Sequence, residues 1–311
     1  MPAVESVMLI ANPYAGTVSQ WGKEVLVKAL HADFKLEVAD TTARDHATEL
    51  ARDAADRDFD AVLAFGGDGT VNEVAEGIVG TRTALGILPG GSTNVMARAT
   101  GIPTNPVDAT GYLARRLRAG SARRINIGKL TFPATGTTRH FLFAAGIGLD
   151  AEVVRRVERS PKPRPGRHDW LWVRHALQAA WTGYRGRDPL LSLSADGADA
   201  EKVMLAICCN GRPLTYFKNV PVEACPEARL DGGLDVIGLR RIRTATIPRV
   251  AWSLLVSHTH VRWRNTFYRH DAHTVDIDAE RPLPVQVDGD YIGEHAKVHI
   301  ELVHRGLDLL I

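Results

Sequence analysis

Along the first third of the chain, short apolar runs alternate with stretches whose apolar positions recur at three- and four-residue intervals. Val7-Met8-Leu9-Ile10 precedes a helical pattern over residues 20–31, residues 35–39 precede 44–56, residues 61–65 precede 71–79, and residues 85–88 precede a further helical stretch. Uninterrupted apolar runs suit strands buried on both faces, and the periodic stretches between them suit helices that cover those faces. The alternation predicts an α/β fold, with a parallel sheet held between helices in three layers. In such sheets ligands gather beyond the carboxyl ends of the strands. The loops leaving those ends are Asn12-Pro13-Tyr14-Ala15-Gly16, Gly66-Gly67-Asp68-Gly69-Thr70 and Pro89-Gly90-Gly91-Ser92-Thr93-Asn94, all polar and glycine-bearing.

From about Arg123 the texture changes to strand-like pieces separated by turns: residues 125–130, 141–145, 190–194, 203–208, 234–239, 274–278 and 285–287. This pattern predicts a second domain that is mainly antiparallel, a β-sandwich interrupted by helical stretches near residues 169–184 and 246–259. The expected domains are 1–125 (α/β, rejoined by the C-terminal residues 304–311) and 126–303 (β-sandwich).

Composition changes this picture little. A chain of 311 residues with 45% hydrophobic and 24% charged residues can bury a sizeable core, and a formal net charge of +2 does not argue for a nucleic-acid partner. Cys208, Cys209 and Cys225 are odd in number and show no CxxC spacing, so they read as buried thiols of a reducing compartment. Neither a signal-type start nor about 18 uninterrupted apolar residues occurs, so a cytoplasmic protein without a transmembrane segment is expected.

The loop Gly66–Thr70 follows a predicted strand and precedes a predicted helix. Its amides and the positive end of that helix form an anion cradle, and glycines let the backbone come close to a phosphate. A tight strand–helix turn gives the same glycines, but Asp68 adds a carboxylate beside the cradle, which makes sense with Mg²⁺ or a proton transfer. Neither a G-x-x-x-x-G-K-[ST] P-loop nor a G-x-G-x-x-G fingerprint after the first strand is present, so phosphate binding must use a different set of loops. The twelve histidines show no zinc-type spacing.

Phe65-Gly66-Gly67-Asp68-Gly69-Thr70-Val71-Asn72-Glu73-Val74 resembles the nucleotide-binding signature of the diacylglycerol kinase catalytic family, which includes bacterial lipid kinases and sphingosine kinases. Further segments match in order. Asn12-Pro13 ends the first strand, residues 88–98 resemble the family's P-x-G-T-x-N-x-x-A-R stretch, and Gly146-Ile147-Gly148-Leu149-Asp150-Ala151 resembles its G-x-G-x-D-A motif. Leu230-Asp231-Gly232-Gly233-Leu234-Asp235 and Val287-Asp288-Gly289-Asp290 are similar to its D-G-x-L-D and D-G-E.

The resemblance implies an ATP- and Mg-dependent lipid kinase that transfers a γ-phosphate to a lipid hydroxyl, diacylglycerol giving phosphatidic acid. It makes 1–125 the ATP-binding domain and 126–303 the lipid-substrate domain. It implies that Asn12, Thr41 (or Thr42, one residue on), Gly66, Gly67, Asp68, Gly69, Thr70, Val71, Asn72 and Ser92 bind ATP. Asp290 would be the base that takes the hydroxyl proton, with Asp68 as second catalytic carboxylate or Mg²⁺ contact. Asp231, with main-chain oxygens of Ala228 and Gly233, would hold a structural Mg²⁺. The sequence departs from the family in two places: Ser92 replaces the usual Thr and keeps its hydroxyl, while Asp290 replaces the usual Glu and is shorter by roughly 1.5 Å. Asp288-Gly289 is also a standard hairpin dipeptide.

Two mixtures of cations and aromatics fit an anionic lipid surface: Arg155, Arg156, Arg159, Lys162, Arg164, Arg167, Trp170, Trp172, Arg174, Trp181, Tyr184 and Arg185, then Arg249, Trp252, Arg262, Trp263, Arg264 and Tyr268. Amphipathic core helices with solvated arginines give the same pattern, and nucleic acid fits it less well. The expected partner is thus a lipid substrate met by peripheral association with the inner face of a membrane, with a homodimer allowed. The alternatives are a sphingoid base or another lipid as acceptor, then an NAD kinase, which shares the Gly-Gly-Asp-Gly loop, then a non-catalytic lipid- or nucleotide-binding homologue.

Overall fold

The computed structural model describes residues 4–16, 18, 20–160, 168–179, 188–242 and 244–311. The chain divides into two compact units, one running to Ile127 and joined by His304–Ile311, the other Gly128–Val303.

In the first unit the elements follow the predicted alternation: β1 (Ser6–Ala11), α1 (Gln20–His31), β2 (Lys35–Asp40), α2 (His46–Asp56), β3 (Ala61–Gly66), α3 (Asp68–Ile78) and β4 (Ala84–Pro89). The short α4 (Val95–Ala99) and α5 (Pro106–Arg118) follow, and β5 (Arg123–Phe132) leaves the unit. β1 pairs in parallel with both β2 and β3, and β3 with β4. The chain therefore moves outward from β1 to β2 and then returns across β1 to β3, which makes the β1–β3 border a topological switch point. Right-handed crossovers taken in opposite directions put helices on opposite faces. Accordingly α1 packs with α5, and α2 with α3.

Val7, Leu9, Ile10, Val62, Leu63 and Leu85 are wholly buried between these layers, each such side chain contributing roughly 2 kcal/mol of transfer free energy. At the far edge Leu309 pairs in parallel with Leu85, and Leu310 N–H donates to Leu85 O at 2.9 Å.

The second unit contains β6 (Thr137–Phe141), β7 (Ala144–Gly148), α6 (Leu149–Glu158), α7 (His168–Ala179), β8 (Leu191–Ala195), β9 (Glu201–Val203), β10 (Leu205–Cys209), β11 (Thr215–Phe217), β12 (Val220–Val222) and β13 (Leu234–Leu239). These are followed by α8 (Ile247–Trp252), a π-helical turn Ser253–Ser257, β14 (Thr266–Ala272), β15 (Thr274–Val287) and β16 (Asp290–Leu309). The strands pair antiparallel in the order β14-β13-β10-β7-β15-β16, with β8 and β9 branching from β15. The two predicted runs 274–278 and 285–287 are halves of one strand. Its register breaks between Asp278 and Leu283, so the first half pairs with β8 and the second with β7. The inward residues of these strands form one apolar core that includes Phe141, Leu193, Val236, Val275, Val285 and Ile300.

The predicted strand 141–145 corrects to the end of β6 and the start of β7. The predicted helix 246–259 corrects to α8 followed by the π-helical turn. Residues 180–184 of the predicted helix 169–184 lie outside the described residues. All three cysteines are buried and unpaired by disulfides, and burial pushes the Cys208 and Cys225 thiols well up.

Candidate active site

At the switch point the carboxyl ends of β1 and β3 lie side by side. Asn12 N–H donates to Phe65 O at 2.9 Å, and the Asn12 amide reaches across to Thr70 Oγ1 at 3.0 Å. The β3–α3 loop is pressed against the β4–α4 loop: Gly90 N–H donates to Gly66 O at 2.7 Å, and a Cβ on Gly91 would stand 2.7 Å from Gly67 Cα. Two glycine-bearing backbones thus share one surface, and at Gly91 the second admits no side chain where they touch. α3 opens at Gly67 with no side-chain cap, so its first turn presents backbone amides and the positive end of the helix dipole.

The second loop is closed on itself. Gly91 N–H donates to Asn94 Oδ1 at 2.9 Å and Asn94 Nδ2 donates to Gly91 O at 2.8 Å, with Asn94 in the left-handed region at φ 50°. This ring leaves Ser92 exposed at its tip. Asp68 is half-buried, and its carboxylate accepts from Met96 N–H at 3.2 Å. Burial raises its pKa, against the lowering effect of the amides of Val95, Met96 and Asn94. Asp68 therefore holds the second loop to the first, a role the spacing of the motifs did not reveal.

Exposure narrows the expected nucleotide set. Thr41, Gly66, Thr70, Val71 and Asn72 are buried, whereas Asn12, Gly67, Asp68 and Gly69 are half-buried and Ser92 is exposed. At the end of β2 the exposed hydroxyl is that of Thr42, whose Oγ1 lies 3.1 Å from His46 Nδ1.

In the second unit Asp288-Gly289 forms a two-residue hairpin turn between Val287 and Asp290, with φ values of 47° and 87°. Positive φ at both positions is the mirror-image turn that suits the twist of a hairpin. Asp288 is buried, and its carboxylate accepts from the amides of Leu142, Phe143 and Ala144 at 2.7–3.0 Å. Asp290 then opens β16, half-buried.

A second chain of contacts reaches the same turn. Gln286 Oε1 accepts from Gly289 N–H at 2.9 Å while Gln286 Nε2 donates to Asp150 Oδ2 at 2.8 Å. Burial raises the Asp150 carboxyl to about 6, opposed by that hydrogen bond. A Cβ on Gly146 would overlap the Asp150 carboxylate, which explains why a glycine stands there in the G-x-G-x-D motif. Sequence reasoning assigned no role to Gln286, although a glutamine inside the run Leu283–Val287 was a visible signal, since a buried amide must find partners.

At the expected structural Mg²⁺ position the one carboxylate is engaged by an arginine. Asp231 is exposed and pairs with Arg229 Nε at 3.0 Å, and Gly233 N–H is taken by the Asp271 carboxylate. Among the described residues no group of three or more His, Cys, Asp or Glu side chains is placed to hold a metal ion. Of the first cation–aromatic mixture, Arg155 pairs with Glu152 and Glu294, and Arg156 with Glu152. Lys162, Arg164, Arg167, Trp181, Tyr184 and Arg185 lie outside the described residues, as do the side chains of Trp170 and Trp172. No helix among the described residues is long and apolar enough to cross a membrane.

Comparison with known proteins agrees with the motifs. Residues 6–130 match the diacylglycerol kinase catalytic domain. The chain is 28% identical over 298 residues to a diacylglycerol kinase of Bacillus subtilis (strain 168), covering 92% of this chain and 89% of that protein. It is 32% identical over 298 residues to a diacylglycerol kinase of Staphylococcus aureus (strain bovine RF122 / ET3-1), covering 92% and 86%. A crystal structure of a diacylglycerol kinase from Bacillus anthracis str. Sterne superposes with a TM-score of 0.68 at 21% identity, covering 100% and 98%, and shares the fold. The chain belongs to the diacylglycerol kinase catalytic family, and it is a lipid kinase.

Proposed function

We propose that the protein transfers the γ-phosphate of ATP, with Mg²⁺, to the free hydroxyl of diacylglycerol, giving phosphatidic acid and ADP. The observation that carries this reading is the pair of glycine backbones in contact at the switch point, Gly66–Gly67 against Gly90–Gly91. An amide-rich edge at a helix N-terminus suits a polyphosphate, and phosphoryl transfer needs mostly positioning and charge stabilisation. The residues 1–125 with 304–311 would form the ATP-binding domain and 126–303 the lipid-binding one.

In this reading the Gly66–Gly69 amides and the α3 dipole hold phosphate oxygens, Ser92 Oγ and the Asn12 amide orient them, and Asp68 keeps the second loop in place. One carboxylate among amides and hydroxyls fits a metal ion held chiefly by phosphate oxygens. Mg²⁺ there would neutralise charge on those oxygens. The structural Mg²⁺ expected at Asp231, Ala228 and Gly233 finds its carboxylate paired with an arginine, and no step is assigned to it. Asp290 takes the proton as the lipid oxygen forms its bond to the γ-phosphorus and the bond to the ADP oxygen breaks. The Asp288-Gly289 turn, held by the Asp288 carboxylate, sets where the Asp290 backbone enters β16, and this would compensate for a side chain one methylene shorter than Glu. Action at a peripheral site on the cytoplasmic membrane face belongs to the same reading.

Labelled γ-phosphate transfer to micelle-dispersed lipids, with NAD as soluble control, tests it. Label in phosphatidic acid is expected, and Asp290→Ala should lower turnover by about 10²–10⁴-fold, the range of a lost general base, without loss of fold. Label in another lipid changes the acceptor, and label in NAD alone overturns the reading.

A further inference from the structure

The second cation–aromatic mixture has a definite place in the fold. From Val236 to His270 the chain contains seven arginines and no Asp or Glu. Within this span α8 continues into the π-helical turn Ser253–Ser257, which is fastened through Ser253. Ser253 is buried, and its Oγ lies 3.0 Å from His260 Nδ1 and accepts from His260 N–H at 2.9 Å, while His260 Nε2 lies 2.9 Å from Ala224 O. Trp252, 62% exposed, and Val256, 51% exposed, lie one helical turn apart. The adjoining β11–β12 hairpin is joined to the π-helical turn through Glu223 N–H, which donates to Leu254 O at 2.9 Å, and it carries Val220, 45% exposed.

Cations frame these apolar tips. The Arg249 guanidinium lies 4.5 Å above the Trp263 ring, tying α8 to the segment that carries Arg262 and Arg264. Among the described residues none of Arg249, Arg262 and Arg264 pairs with a carboxylate. The nearby Glu223 is largely covered and is already approached by Arg212 at 3.9 Å and His258 at 3.6 Å. Exposed tryptophan and aliphatic tips ringed by unpaired arginines match the headgroup boundary of an anionic bilayer, where aromatics settle and cations meet phosphate. An amphipathic core helix would have turned Trp252 inward.

We propose that this face, Ile247–Trp252 with Ser253–Ser257 and the adjoining β11–β12 hairpin, docks the protein on anionic bilayers. Trp252, Val256 and Val220 enter the headgroup boundary, and Arg249, Arg262 and Arg264 contact lipid phosphates. The inference deepens the lipid kinase reading by naming the surface that meets the substrate's membrane, and it rests on that reading; vesicle binding is measured without turnover, so the two fail separately.

The full chain is sedimented with vesicles of phosphatidylcholine alone and of phosphatidylcholine with phosphatidylglycerol. Binding to the mixed vesicles, weakened by salt, is expected. The double variant Arg262→Ala, Arg264→Ala should lower partitioning by about 25-fold, about five-fold per arginine. Trp252→Ser with Val256→Ser should lower it at least as much, and both should melt as the parent does because the changed side chains are exposed. Phosphorylation of a short-chain, monomerically dissolved diacylglycerol should be unchanged in both. Equal binding by parent and both variants, equal binding to neutral vesicles, or no binding by the parent would overturn the proposal. So would conversion of a dimer to a monomer by the Trp252 variant, because the face would then be covered by a second copy of the chain.

Discussion

Asp150 and Asp288 are both carboxylates drawn into the second unit, yet their surroundings give them opposite characters. Asp288 has three buried amides to accept from, whereas Asp150 accepts from Gln286 and burial pushes its carboxyl up to about 6. For Asp150 the folded value lies above the ordinary 3.8, so the native state holds a proton that the unfolded chain has lost. Stability from this group is complete below about pH 4 and is lost as pH rises through about 6. Asp150→Asn keeps an oxygen for Gln286 and removes the ionisation, so it should be more stable than the parent at pH 8, by up to about 3 kcal/mol. Near pH 3.5 that difference should vanish, as urea melts across pH would show.

Asp288→Ala strands three buried amides and should cost about 3 kcal/mol or more. Asp290→Ala, two residues on, should leave the melting temperature nearly unchanged. Thermal unfolding of the pair separates the residue that builds the turn from the one the turn presents.

At the scale of elements, the contact between α2 and α3 shows packing overruling propensity. Gly77 lies inside α3, where alanine would ordinarily gain about 1 kcal/mol. A Cβ there would stand 2.6 Å from Thr48 O and 2.7 Å from Ala51 Cβ. Thr48 Oγ1 also donates to Glu73 O at 2.9 Å, and Ala47 N–H donates to the Glu73 carboxylate at 3.2 Å, so the helices are clamped at this spacing. Gly77→Ala should therefore destabilise by about 1–3 kcal/mol, the usual cost of overpacking. A gain in the chemical-denaturation midpoint would show that the helices can move apart.

At the scale of the whole molecule, the ends of the chain are joined in one unit. Leu307, Leu309 and Leu310 are buried in the first unit, and Arg124 forms a two-bonded pair with Asp308 at 3.0 and 3.1 Å. Losing three such side chains removes about 6 kcal/mol of burial, which is comparable to the whole stability of an ordinary domain. A chain ending at Val303 should fail to protect the β4 amides against hydrogen exchange, while the β7, β10 and β13 amides stay protected. Protection of β4 in that shortened chain would mean that its last parallel neighbour is dispensable.

Most of the first unit was legible in the sequence, because a strand buried on both faces must be an apolar run and a covering helix must show its own period. Val7–Ile10, Ala61–Phe65 and Leu85–Leu88 therefore announced β1, β3 and β4, and Leu234–Leu239 announced β13. The loops at the strand ends were visible for the same reason, since glycines cluster where backbone meets backbone. β14 and β16 were not: in Asp290–Leu309 histidines and acids interrupt the apolar positions, and a half-exposed strand needs its neighbours to become one. Nor could sequence show that Asp68 binds the loop of Asn94–Met96, that Gln286 bridges Asp150 to the Gly289 turn, or that Trp252 faces outward while Ser253 faces in. Each depends on which polar group finds a partner across tens of residues of chain, and only the folded backbone decides that.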